Sequence, residues 1–186
     1  GDDGQRPDVI AKTIIHCHNK FNKRMMVLFT SRAQLENTLN LLKQMNQTVE
    51  LPIFAQKRQT SRMGLIRGMK QCTNGILLGT NAFWEGVDLP GDLLEILIII
   101  KMPFDVPTDP IVKAYGAMVE SQGGNSFMDY ALPESVIRFR QGFGRLIRTS
   151  FDEGIFVVMD DRIINKRYGI MFSESIPVQM QAFKYL

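Results

Sequence analysis

Apolar positions fall along this chain in two rhythms. Four short, nearly unbroken runs have the length of strands: "RMMVLFTS" (Arg24–Ser31), "GILLGT" (Gly75–Thr80), "LLEILIII" (Leu93–Ile100) and "GIFVVMD" (Gly154–Asp160). Between them the apolar residues recur at helical spacing. "RAQLENTLNLLKQM" puts Leu35, Leu39 and Leu42 on one face, and Ser31 with Gln34 three residues on has the form of a capping box at its start. A basic helix is expected at roughly 58–70, another through "PIVKAYGAMVESQ" after the proline-punctuated "PFDVPTDP", and a third from about Pro133 to Arg148 beyond a turn at Gly123–Gly124. Strands that are apolar throughout are buried on both faces. Alternating with helices, they predict an α/β domain with a mostly parallel central sheet covered on both sides, a three-layer arrangement. In such sheets ligands gather at the carboxyl ends of the strands. "TS" at Thr30–Ser31, "GTNAFWEGVDLPG" at Gly79–Gly91 and "DDR" at Asp160–Arg162 all lie there, which predicts one continuous site.

Composition bounds the picture without deciding it. The chain has 186 residues, 45% of them hydrophobic, enough for the core of one domain, and a net charge of +3 that is too mild to name a partner. Distribution says more. "KRQTSRMGLIRGMK" (Lys57–Lys70) has five basic residues and no acid, and "RFRQGFGRLIRTS" (Arg138–Ser150) adds four arginines. Two distant cysteines offer neither a disulfide framework nor a zinc or iron–sulfur site, in keeping with a reducing cytoplasm. His16 and His18 flank Cys17, yet no fourth ligand stands nearby, so no metal site is expected. The longest apolar run, Ile96–Ile100, is too short to span a bilayer, and no secretory leader is visible.

The arginine-rich helix carries the most chemistry. At 100° per residue, Arg138, Gln141, Arg145 and Arg148 fall within an arc of roughly 80°, with Phe139, Phe143 and Leu146 opposite. Gly142 and Gly144 each weaken a helix by about 1 kcal/mol relative to alanine. They are expected where another surface or a ligand comes close. A guanidinium fork suits phosphate, whereas the bland alternative is a solvated stripe paired with carboxylates. In the second constellation, Thr80 and Asn81 offer hydroxyl and amide donors to a nucleic-acid phosphate. Glu85 and Asp88 bracket Gly86 and suit a ribose, a water or a magnesium shell. Phe83 and Trp84 could stack on bases or anchor a core. Nowhere is there a G-x-x-x-x-G-K-[ST] stretch. Arginines aimed at phosphate without a cradle for it describe half of a site, following the logic of an arginine finger.

"VLFTSRAQL", "LLGTNAFWEGVDLPGDLL", "MPFDVPTDP" and "QGFGRLIR…DEGIFVVMDDRIINKRYG", in that order, resemble the second, C-terminal RecA-like motor domain of DinG-type helicases, XPD-related members of superfamily 2. The wording "FWEGVDLPGD" is most similar to the Gram-positive branch, some members of which carry a fused exonuclease domain. The resemblance implies a RecA-like lobe over residues 24–186 behind a lead-in of residues 1–23, together one motor domain. It implies that Gln141, Arg145 and Arg148 reach the γ-phosphate of ATP across a cleft, and that Glu85, Gly86 and Asp88 couple nucleotide state to DNA grip. Ser31 with Arg32, and Thr80 with Asn81, would hold the backbone of single-stranded DNA. Ala82 stands where relatives often have a small hydroxyl residue, which puts one backbone contact in doubt. Arg138 has no role in the family motif, leaving it structural or DNA-facing. ATP and Mg2+ would be bound mainly by a first lobe of the same parent chain. The fragment alone is thus expected to be inactive, monomeric and cytoplasmic in a bacterium. The alternative is a nucleic-acid-binding regulatory lobe of a DinG-type exonuclease.

Overall fold

The computed structural model describes residues 5–45, 51–57, 60–80, 93–149 and 151–183. Its apolar runs become the parallel strands β1 (Met25–Phe29), β3 (Ile76–Thr80), β4 (Ile96–Ile99) and β5 (Ile155–Val158). A strand that the hydrophobic pattern does not announce, β2 (Ile53–Ala55), joins them at one edge, giving the order β2-β3-β1-β4-β5 with every pair parallel. It has only three residues, all half-buried, too few to display a period.

Contacts divide the chain into two compact units, one of residues 1–101, 143–161 and 181–186, the other of residues 102–142 and 162–180. The first holds the sheet. Its register aligns Met25, Val27 and Phe29 with Ile76, Leu78, Ile96, Ile98, Ile155 and Val157 on one face. That face is covered by α1 (Pro7–Phe21) through Ile10, Ile14 and Cys17, and by α2 (Arg32–Met45) through Leu35, Leu39 and Leu42. Residues 1–23, which the sequence presents as a lead-in, thus contribute a core helix. It starts at Pro7 and is capped after Phe21 by Asn22, whose left-handed backbone (φ 50°) lets its N–H return to the His18 carbonyl at 2.8 Å. The opposite face carries Phe54, against which Gly68 lets α3 (Arg62–Gln71) lie closely, and Phe156, met edge-on by Phe143 at 5.4 Å. Helices on both faces of a parallel sheet make the expected three layers.

The second unit is built from helices around aromatic rings. α4 (Pro110–Ser121) is capped by Asp109, whose Oδ1 accepts from the N–H groups of Ile111 (2.8 Å) and Val112 (3.4 Å). The expected turn follows, with Gly123 at φ +82°, and leads to a π-helical turn, Ser126–Ala131. It starts on Asn125, whose side chain accepts from Phe127 and Met128 N–H while its own N–H donates to Asp129. α5 (Leu132–Leu146) follows directly, belonging to this unit as far as Gly142 and to the first from Phe143, and the short helices α6 (Arg162–Asn165) and α7 (Gly169–Ser173) complete the unit. Phe104, Phe127, Phe139, Tyr168 and Phe172 pack ring to ring, with the Arg162 guanidinium 5.4 Å over Phe104.

His18 is buried on α1, and its Nδ1 has no hydrogen-bond partner among the described residues. Desolvation therefore favours the neutral ring and lowers its pKa from 6.5. The unfolded chain binds a proton that the folded chain resists, so this contribution to stability is present above the unfolded pKa and is lost as pH falls from there through the lowered folded pKa. The thermal midpoint is expected to start dropping as pH falls below about 7, and His18→Leu, which cannot titrate, should show a smaller drop when both are followed by circular dichroism.

Candidate nucleotide and nucleic-acid site

All five strands run the same way, so their carboxyl ends share one edge of the first unit. Register fixes the order along that edge: Thr80 closes β3 opposite Phe29, Ser31 lies two residues beyond Phe29, and Met159 and Asp160 follow β5. The strand-end motifs of the sequence thus converge where they lie within described residues. Asn81, Glu85, Gly86 and Asp88, with Ala82, Phe83 and Trp84, lie outside them.

Ser31 opens α2. Its Oγ accepts from the Gln34 N–H at 3.4 Å and its carbonyl accepts from Leu35 N–H at 3.1 Å, so the cap is present. The reciprocal half of the expected box is not. Gln34 instead sends its amide to the Gln5 carbonyl at 2.8 Å, on the segment leading into α1. Ser31 is exposed, Arg32 begins the helix half-buried, and the first turn contains no acid. A helix N-terminus leaves N–H groups without intrahelical partners, and with a guanidinium beside them it is a place for an anion.

Thr80 is held from the neighbouring strand. Both its N–H and its hydroxyl lie 3.0 Å from Oε1 of Gln56, the residue that follows β2, whose own N–H donates to Leu78 at 2.9 Å. Gln56 carries no motif and nothing in the sequence singles it out; only the pairing of an unannounced strand brings it here.

The arginine helix is shorter than expected and ends at Leu146. Phe139, Phe143 and Leu146 are buried, as the 100° spacing requires. Gln141 belongs to the second unit and is exposed; Arg145 belongs to the first and is half-buried. Arg148 lies beyond the helix, not on its stripe. There the Asp152 carboxylate accepts from the backbone N–H groups of Arg148 and Thr149, each at 2.7 Å, which holds the carboxyl below its usual range. Asp152 is therefore a second residue that sequence reasoning misses. In the sequence it is simply an acid near the arginines, whereas in the fold it ties down the backbone of one. Arg138 is structural: its guanidinium meets Asp105 at 2.6 Å, Pro103 carbonyl at 3.5 Å and Glu134 at 4.0 Å, all within the second unit. Gly144 is exposed, and a Cβ there would meet no atom within 4 Å among the described residues. Nothing in the chain's own described fold requires glycine at that position.

Among the described residues no group of three or more His, Cys, Asp or Glu side chains is placed to hold a metal ion, and no helix is long and apolar enough to cross a membrane.

Comparison with known proteins bears on the family and the fold. The family described as Helicase C-terminal domain matches residues 14–179. The chain is 39% identical over 163 residues to the ATP-dependent DNA helicase DinG of Photobacterium profundum, covering 86% of this chain and 24% of that protein. It is 39% identical over 156 residues to the ATP-dependent DNA helicase YoaA of Escherichia coli, with coverages of 84% and 24%. To the 3'-5' exonuclease DinG of Bacillus subtilis it is 38% identical over 155 residues, covering 83% and 17%. The chain thus spans about a quarter or less of these relatives. Among solved structures, an XPD helicase superposes with a TM-score of 0.64 at 18% identity, over 94% of this chain and 30% of the other. Domain 2 of the DEAD-box helicase Mss116p, bound to an RNA duplex, superposes with a TM-score of 0.54 at 15% identity, over 91% and 57%. At such identities the likeness is one of fold, and the fold is that of a helicase motor domain. With the family matched over most of its length, the chain belongs to the Helicase C-terminal domain family, among the DinG- and YoaA-type, XPD-related helicases.

Proposed function

We propose that the chain is the C-terminal motor lobe of an ATP-dependent DNA helicase or translocase of the bacterial cytoplasm. Arg145 and Arg148, with Gln141, serve an ATP–Mg2+ site whose phosphate cradle belongs to another lobe. Ser31, Arg32 and Asn81, with the end of β3 at Thr80, hold single-stranded DNA along the strand ends, and Glu85, Gly86 and Asp88 link the two functions. The observation that carries this reading is a pairing of presence with absence. Two arginines stand in a sheet-bearing unit of a helicase family, and the sequence contains no phosphate-binding loop to serve them. A guanidinium brought to a nucleotide bound elsewhere stabilises charge as the γ-phosphoryl departs. Asp152 contributes by fixing the backbone from which Arg148 extends.

A second reading has one specific support, the relative named as a 3'-5' exonuclease: the lobe binds nucleic acid for a nuclease and its motor chemistry is vestigial. The two differ in DNA-stimulated ATP hydrolysis. Joined to the Walker A lobe of a DinG relative, the chain is expected to give hydrolysis that single-stranded DNA stimulates. Arg145→Ala should lower that rate by about a thousandfold or more. The chain alone should stay at background. Robust hydrolysis by the chain alone, abolished by Arg145→Ala, contradicts the shared site; DNA binding without any stimulation favours the nuclease-associated lobe.

Gly144 gives a separable test. With open space at its Cβ position, Gly144→Ala should stabilise the chain by about 1 kcal/mol, raising its thermal midpoint by roughly 2–4 °C for a chain of this size. The same substitution should slow ATP hydrolysis in the joined protein, where another surface must approach the helix. Unchanged hydrolysis would mean that no such approach accounts for glycine at position 144.

A further inference from the structure

The Thr80 hydroxyl is the donor that the sequence offers to a DNA phosphate, but its geometry does not leave it free to donate. The Thr80 N–H, which can only donate, lies 3.0 Å from Gln56 Oε1. That fixes the orientation of the Gln56 amide, because the flipped form would set Nε2–H against N–H. The hydroxyl, also 3.0 Å from Oε1, must then spend its single proton on the same oxygen. What Thr80 presents outward is oxygen lone pairs, which a phosphate oxygen does not seek. Gln56, by contrast, has its carbonyl engaged twice, and among the described residues none accepts from its Nε2 amide, which keeps two N–H donors. Lys57 follows at once, exposed, its N–H taken by Thr60 Oγ1 at 3.3 Å in the turn that leads to Ser61 and the start of α3. A neutral double donor beside an ammonium, at the edge where the strands end, fits a phosphodiester.

We propose that Gln56, not Thr80, is the residue that donates to the backbone phosphate of single-stranded DNA at this point, and that Thr80 is the positioning residue that holds the Gln56 amide in place. The inference rests on the proposed DNA grip along the strand ends and says which side chain performs it. It also gives β2 a function, since that short edge strand delivers Gln56 to Thr80 through the register Ala55↔Leu78.

The test is binding of a fluorescein-labelled oligo(dT) to the 186-residue chain, read by anisotropy. Gln56→Glu keeps an oxygen that can accept both Thr80 bonds but replaces the donor with an anion. Gln122→Glu adds the same charge at an exposed position in the second unit and serves as control. Thr80→Val removes the hydroxyl and leaves the N–H bond. Gln56→Glu should bind about tenfold more weakly than Gln122→Glu, and Thr80→Val, which keeps the N–H bond to Gln56, should lose less than Gln56→Glu does. If Gln56→Glu melts early, Gln56→Met, similar in volume and without a donor, is read in its place with the same expectation. Wild-type binding with Gln56 variants no weaker than the control overturns the assignment and leaves the DNA grip standing, as does a Thr80→Val loss equal to theirs. Absence of wild-type binding overturns the grip itself and this assignment with it.

Discussion

The parallel register of the sheet is the constraint on which the rest depends. Parallel strands can be joined only by crossovers, and every crossover returns the chain to the same starting edge. Whatever follows each strand must therefore gather at the opposite edge. Residues far apart in sequence, Ser31, Gln56, Thr80 and Asp160, are brought into one row by that rule and need no direct attraction for one another. The two-sided burial that makes the strands apolar throughout also holds the row rigid. Met25, Met26, Val27, Ile76, Leu77, Ile96 and Leu97 are all fully buried, so sliding one strand by a residue would expose or clash a whole layer.

The arginine helix obeys a different logic. Its buried stripe, Phe139, Phe143 and Leu146, is set by local periodicity, while its polar residues divide by what they meet. Arg138 is consumed by Asp105, a partner on a distant loop of the sequence, and so belongs to the fold of the second unit. Arg145 and Arg148 belong to the sheet-bearing unit, and Asp152 secures the backbone of the second of them. A Cβ at position 144 would meet no atom within 4 Å among the described residues, so the chain's own described fold does not ask for glycine there.

Much of this is legible in the sequence because it depends on short-range pattern. The four apolar runs follow from unbroken stretches of strand length, the α2 stripe and the apolar face of α5 from the 3.6 period, and the turn at Gly123 from backbone freedom. The motif wording identifies the family. What escapes notice depends on distant partners or on elements too short for a period. β2 is three half-buried residues, and without it Gln56 is one glutamine in a basic loop. α1 hides in a polar lead-in, since its inward face is made by Ile10, Ala11, Ile14 and Cys17 among polar neighbours. The Arg138–Asp105 pair and the turn of Gln34 toward Gln5 cannot be read from neighbours in sequence. The spacing of Arg148 fits a helical stripe, yet the helix stops two residues earlier.

The proposed division of labour puts DNA along this chain's own strand ends and nucleotide on a partner lobe. Hydrogen–deuterium exchange on the chain with oligo(dT) or with Mg–ATP tests it most directly. The first turn of α2 has N–H groups without intrahelical partners, which a bound phosphate would protect. Oligo(dT) is expected to slow exchange in peptides spanning Ser31–Ala33 and Gln56–Lys57, and Mg–ATP alone to slow it nowhere. Protection by Mg–ATP alone, or DNA protection confined to the helical unit of residues 102–142 and 162–180, would contradict it.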